Sequence, residues 1–253
     1  MQEVVQSVDR SLSILEVLSD YEDGLGITEI SEKVNLHKST VHRLLATLIY
    51  KGYVKQEYKA NKYKLTLKLF QLGNKKIQKM DLVTVARPYL KELVEKTNEV
   101  AHLVVTEDTE IIYVEKEESQ NTIRTHSTIG DRRPLYCTAV GKSILSYMED
   151  DKIEEIWNKS NVQKLTEYTI TDFNEFKKYL NKVRKNGYAV DEQENEVGVR
   201  CVGASIFNYK GEVCGAISIS GSIITFTEEK LEDFSKLIIE YTHKISKELG
   251  YRG

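Results

Sequence analysis

Residues 27–53, ITEISEKVNLHKSTVHRLLATLIYKGY, hold two amphipathic segments separated by the turn Asn35-Leu36-His37. In the second segment Val41, Leu44, Leu45, Leu48 and Ile49 recur at i, i+3, i+4, i+7 and i+8, the spacing of one face of an α-helix. At ~100° per residue the opposite side carries Ser39, Arg43, Ala46 and Tyr50, with Thr40 and Thr47 on its shoulder. Small hydroxyls and one arginine, preceded by Lys38, suit a helix that approaches phosphates and base edges closely. The pattern predicts a helix-turn-helix with its recognition helix over Lys38 to Lys51. Thr28 is placed to cap the first helix, Ile30 and Val34 face inward, and Leu36 plugs the turn.

Working outward, Val8, Leu12, Leu15 and Leu18 form an apolar helical stripe with Ser7 as its cap. It ends in DYEDGLG, where Gly24 and Gly26 permit positive φ. Downstream, Gly52 terminates the recognition helix. YVKQEYKANKYKLTL then alternates on both sides of an asparagine turn, as a β-hairpin does. A helix-turn-helix followed by a basic hairpin is a winged helix. The candidate DNA contacts are Lys38, Ser39, Thr40, His42, Arg43 and Thr47 on the recognition helix, with Lys59 and Lys62 on the wing. Tyr50 and Tyr53 read as apolar seals beneath the wing. Leu67, Leu69, Phe70 and Leu72 lie on more than one face of a linker helix, which favours a contact between subunits.

Charge follows the same division. The chain carries a net charge of -3, yet between Lys33 and Lys68 nine basic residues face a single acid, Glu57. That block is either a phosphate-facing patch or a solvated lysine-rich face. Cys137, Cys201 and Cys214 are too few and too scattered for a disulfide framework or a paired-thiolate zinc site. His102, His126 and His243 fall at no ligand-like spacing, so no metal or other cofactor is expected. No signal peptide opens the chain and no apolar run approaches ~18 residues, so a cytoplasmic, membrane-free protein is expected.

Beyond residue 80 the pattern mixes helices and strands without βαβ alternation, which predicts an α+β domain on an antiparallel sheet. Residues 81–97 read as a helix that Pro88 should kink or break. Strands are expected at 99–106, 110–117, 122–127, 188–191, 200–207 and 212–220, with 130–134 a loop. Helices are expected at 139–147, 150–159, 172–186 and from the Thr227 cap to Leu249. Ser218 and Ser220 alternate with Ile217 and Ile219, so both hydroxyls share one strand face. Unaided, that is the pattern of polar residues on the solvent side of an antiparallel sheet.

The segments SVDRSLSILEVL, ITEISEKVNLHKSTVHRLLATLIYKGYV, GDRRPLYCTAVGKSILSYM and NGYAVDEQENEVGVRCVGASIFNYKGEVCGAISISG, in this order and spacing, resemble the IclR-type bacterial transcriptional regulators. The resemblance implies a winged helix-turn-helix DNA-binding domain (1–66), a linker helix (67–80) and a GAF-like effector-binding domain (81–253). It implies a regulator of a catabolic operon, a repressor first and an activator as the alternative, that binds double-stranded operator DNA as a homodimer or dimer of dimers. The implied effector is a small carboxylate or 2-oxo acid, such as glyoxylate, pyruvate, an aromatic acid or 2-keto-3-deoxygluconate. Its implied contacts are Thr138, Ala139, Val140, Asp191, Cys201, Ser218 and Ser220. Two departures from the family pattern are Gln193, which interrupts the acids of DEQENE, and Ser205, where many relatives carry proline. Asp191 could instead pair with Arg200. No catalytic residue is expected, because Cys201 has no histidine in a motif beside it to act as base.

Overall fold

A computed structural model describes residues 4–57, 61–77, 81–118 and 127–253. Residues 4–57 fold as α1 (Gln6–Ser19), α2 (Ile27–Lys33), α3 (Lys38–Tyr50) and the strand β1 (Val54–Glu57), which pairs with β2 (Lys62–Leu65). Asn35 at φ 50° sets the turn into α3, and Gly52 at φ 77° ends it. One core joins Ile14, Leu15, Leu18, Ile30, Val41, Leu45, Leu48, Val54 and Tyr63. Leu25 and Tyr63 exchange backbone hydrogen bonds of 3.1 and 2.8 Å, stitching the loop before α2 onto the wing.

Four local expectations are corrected. The buried stripe of α1 is Ile14, Leu15 and Leu18, whereas Val8 and Leu12 are 56% and 53% exposed. Only the C-terminal half of α1 meets the core, so the earlier apolar positions project past it. Ser7 lies inside the first turn, with Val5 at the cap position. Gly26 rather than Thr28 caps α2, its N–H donating to Glu29 Oε2 at 2.7 Å. Tyr53 packs on the core, but Tyr50 is 84% exposed and seals nothing.

After α4 (Lys68–Ile77) the chain forms α5 (Asp81–Thr97), β3 (Val100–Glu107), β4 (Glu110–Glu117) and β5 (Arg132–Pro134). Next come α6 (Ala139–Leu145), α7 (Asp150–Lys159), α8 (Phe173–Asn186), β6 (Ala189–Glu192), β7 (Val199–Phe207), β8 (Val213–Ser222) and α9 (Glu228–Glu248). The sheet runs β5-β4-β3-β8-β7-β6, every pairing antiparallel. The expected loop at 130–134 contains β5, because Arg132–Pro134 pair with Glu110–Ile112 at the sheet edge. Residues 122–126 of the expected third strand lie outside the described residues.

The helix α5 runs unbroken through Pro88. A mid-helix proline costs ~3 kcal/mol. Burial of Leu82, Val83, Ala86, Leu90, Leu93 and Val94 against the sheet and α9 outweighs that cost. The chain divides into two compact units, residues 1–79 and 80–253. In the second unit α5 and α9 pack on the sheet, as does α6 on β4, β7 and β8. Ala216 joins Val140, Ile144 and Phe176 in one cluster, so the β8 face bearing Ala216, Ser218 and Ser220 is the one turned toward α6.

Candidate functional site

On α3 the apolar residues Val41, Leu45 and Leu48 are buried, and Lys38, Ser39, His42, Arg43 and Thr47 are exposed. Thr40 is half-buried, and Thr47 Oγ1 donates back to the Arg43 carbonyl at 3.3 Å. On the wing Lys62 is half-buried, and Lys64 pairs with Glu57 at 3.3 Å. Lys59 lies outside the described residues. The sequence-predicted contacts on α3 therefore form one polar, cationic face, as a helix seated in a groove requires.

The C-terminal unit holds a cavity of about 490 Å³ between the α6 side of the sheet, the start of α6 and the loop after β6. All seven sequence-predicted effector residues line it: Thr138, Ala139, Val140, Asp191, Cys201, Ser218 and Ser220. Local sequence explains each placement. Thr138 caps α6, its Oγ1 accepting the Gly141 N–H at 3.1 Å and donating to the Pro134 carbonyl at 3.2 Å. Gly141 can only be glycine here, since a Cβ would overlap the Leu135 carbonyl oxygen. Gly203 on β7 lets α6 approach the sheet; a Cβ there would sit 2.9 Å from the Val140 nitrogen. Ala139 and Val140 thus bring first-turn N–H groups, which lack i−4 partners, to the cavity wall.

Ser218 and Ser220 are only 4% and 5% exposed, so they do not occupy a solvent face. Asp191 does not pair with Arg200; Arg200 grips Glu192 through Nε at 2.6 Å and Nη2 at 2.8 Å. Asp191 Oδ1 instead accepts the backbone N–H groups of Glu194 (2.7 Å) and Asn195 (3.4 Å). Burial pushes its carboxyl up to about 7, with the Lys142 charge pulling the other way. Gln193 takes φ 59° and its Oε1 accepts the Gly198 N–H at 3.0 Å, tying the β6–β7 loop. Ser205 bonds Ser143 of α6 at 2.8 Å, which gives the second departure a packing role. Burial, reinforced by the nearby Asp191, raises the Cys201 thiol well above its usual range. It stays protonated and is no nucleophile.

Several lining residues carried no sequence-level assignment. His102 Nε2 lies 2.8 Å from Ser127 Oγ, and its Nδ1 lies 3.5 and 3.4 Å from the hydroxyls of Ser218 and Ser220. Burial, aided by the Lys116 charge, lowers its pKa to about 3, so the ring is neutral. Arg133, Asn195, Glu99 and Lys230 also border the cavity. Beneath it Lys142, fully buried, donates to the Val190 carbonyl at 2.6 Å and pairs with Glu194. Only register brings His102 opposite Ser218, so its identity as a lining residue is not readable along the chain. Arg133 stands inside the GDRRPLY segment next to Thr138, and its charge there was a usable signal.

The family patterns described as "IclR helix-turn-helix domain" and "Bacterial transcriptional regulator IclR C-terminal" match residues 7–57 and 74–247. The chain belongs to the IclR family of bacterial transcriptional regulators. Among its IclR-family relatives is the HTH-type transcriptional regulator KdgR of Escherichia coli, 38% identical over 98% of this chain and 94% of that protein. The DNA-binding transcriptional repressor YiaJ of Escherichia coli is 35% identical over 97% and 88%. The crystal structure of Thermotoga maritima IclR superposes with a TM-score of 0.86 at 33% identity, covering 98% of this chain and 100% of that one. This IclR-family chain is a DNA-binding transcriptional regulator, and its relatives are named as regulators rather than enzymes. Among the described residues no helix is long and apolar enough to cross a membrane.

Proposed function

We propose that the protein represses a catabolic operon by binding a palindromic operator as a homodimer or dimer of dimers, and that a small carboxylate or 2-oxo acid in the C-terminal cavity controls that binding. The domains are read as 1–66 for DNA, 67–80 as linker and 81–253 for the effector. The observation that carries the effector reading is the convergence of two serine hydroxyls, the first turn of α6 and Arg133 on one cavity. Hydroxyl and backbone donors with a nearby guanidinium suit a carboxylate. The repressor role is supported by the relative named as a transcriptional repressor. The exposed apolar row of Leu67, Leu69, Phe70 and Leu72 supports assembly through the linker.

Lys38, Ser39, Thr40, His42, Arg43 and Thr47, with Lys59 and Lys62, form the DNA contact set. Fluorescence anisotropy with the promoter DNA of its own gene, against random DNA over a salt series, tests it. Affinity should fall steeply with salt and favour the promoter. Arg43→Ala should weaken promoter binding by about 1–3 kcal/mol and random-DNA binding far less, whereas Lys38→Ala should weaken both alike. An equal loss on both DNAs for Arg43→Ala makes it a phosphate contact only.

For the effector, melting temperature is followed with pyruvate, glyoxylate, benzoate, gluconate and 2-keto-3-deoxygluconate. An acid that binds only the folded state raises it with concentration. Ser218→Ala with Ser220→Ala should abolish the shift. No shift with any acid, and no effect of the double variant on promoter release, defeats the effector reading.

A further inference from the structure

His102 sits at the floor of the cavity between three hydroxyls, and its hydrogen-bond arithmetic is restrictive. A neutral imidazole has one N–H and one acceptor nitrogen. Its Nε2 is within 2.8 Å of Ser127 Oγ; its Nδ1 faces Ser218 Oγ and Ser220 Oγ, themselves 3.5 Å apart. The ring is wholly buried against Tyr113, with centroids 4.9 Å apart. Burial disfavours the charged ring, so it carries one proton, on one nitrogen or the other.

Two tautomers give the cavity opposite character. With the proton on Nε2, the ring donates to Ser127 and Nδ1 must accept a hydroxyl proton from Ser218 or Ser220. One of those protons is then turned away from the cavity. With the proton on Nδ1, the ring donates to the serine oxygens and Ser127 donates to Nε2. Both serine protons are then directed at whatever occupies the cavity. The Nδ1 distances of 3.4 and 3.5 Å are long for hydrogen bonds, so neither serine is firmly committed to the ring.

We propose that His102 is a specificity-determining positioning residue: its Nδ1–H tautomer presents Ser218 and Ser220 as a matched pair of donors to one anionic head group, and occupancy by an anion selects that tautomer. The inference rests on reading the cavity as an acid site. The change is a relocation with the proton count unchanged: solvent takes one proton from Nε2 and returns one to Nδ1, each serine keeps its own, and the ring stays uncharged. Carboxylates are thereby favoured over amines and neutral amides, because a head group that donates would need a serine lone pair facing it.

The test uses full-length protein with ¹⁵N-labelled histidine, His102 being assigned by the signal lost in His102→Gln. The probe is whichever of pyruvate, glyoxylate, benzoate, gluconate and 2-keto-3-deoxygluconate gives the largest thermal shift. On saturation the Nδ1 resonance should move from the unprotonated to the protonated position while Nε2 moves oppositely. His102→Asn, whose amide nitrogen can stand where Nδ1–H does, should keep affinity within about threefold. His102→Gln and His102→Phe should lose about tenfold or more, the loss when a charge-assisted hydrogen bond goes unmade. A bound acid with the Nε2–H ring unchanged, a doubly protonated ring, or wild-type affinity in His102→Phe each overturns the proposal. If a variant fails to fold, the wild-type spectrum decides alone. No thermal shift with any acid removes the cavity reading itself, a failure distinct from an acid that binds without changing the tautomer.

Discussion

Glu194→Leu is expected to destabilise the C-terminal unit by about 3–5 kcal/mol, the range for stranding one charge of a buried pair. Lys142 is fully buried on α6 and its ammonium has three donors to place. One goes to the Val190 carbonyl at 2.6 Å, one to Glu194, and the Tyr179 ring lies beneath at 4.7 Å. Burial alone would lower its pKa, but the charges of Glu194, Tyr179 and Asp191 reverse the sign and hold it above its usual value. With Glu194 gone, the desolvation cost remains and most of the compensation does not. Among the described residues Glu194 is itself incompletely satisfied, since its buried Oε2 has no hydrogen-bond partner. The pair is therefore a weak source of net stability. Lys142→Met combined with Glu194→Leu should return most of the loss, to within about 1–2 kcal/mol of the parent. Urea denaturation of the four proteins of this cycle measures it. A double variant as unstable as Glu194→Leu would show that the loss comes from packing around the β6–β7 loop rather than from the stranded ammonium.

That pair also lies beyond what the sequence reveals. The recognition helix was legible because its apolar spacing is local and long enough to have one phase. Asp81–Thr97 and Glu110–Glu117 were legible at their ends for the same reason, with asparagine, aspartate and glycine turns between elements. The errors fall where tertiary contact overrides local signal. Val8 and Leu12 continue a helical stripe, yet the core reaches only Ile14, Leu15 and Leu18. Tyr50 has the composition of a seal but stands 84% exposed. Pro88 predicts a kink or a break, and burial on both sides of it keeps the helix unbroken. In the cavity, the motif residues Thr138, Asp191, Cys201, Ser218 and Ser220 could be named because they stand in recognisable segments. His102 and Lys142 could not, since a histidine in a strand and a lysine in a helix look ordinary until register and packing set them opposite Ser218 and Glu194.

The second large effect concerns Asp191, where folding raises the carboxyl from 3.8 to about 7. A group raised on folding contributes its stability fully below the unfolded value and loses it as pH climbs through the folded one. Between pH 4 and 7 the unfolded chain has released this proton and the native chain has not, so stability falls with rising pH over that window. The span corresponds to roughly 4 kcal/mol at most. Asp191→Asn keeps an Oδ1 acceptor for the Glu194 N–H and removes the titration. Its stability should therefore fall less than that of the parent between pH 4 and 8, ending roughly 2–4 kcal/mol higher relative to the parent at pH 8. Chemical denaturation at half-unit pH steps gives both curves, and parallel curves would show that Asp191 does not carry the slope. The same carboxyl lines the cavity with Ser218 and Ser220. An anion bound there disfavours a second negative charge, so acid binding near pH 7 should draw in a proton at Asp191. Calorimetric titration in buffers of different ionisation enthalpy should register that uptake in the parent and lose it in Asp191→Asn. Uptake that persists in the variant would move the proton to another group of the cavity, Glu99 being the next buried carboxylate whose pKa burial has raised.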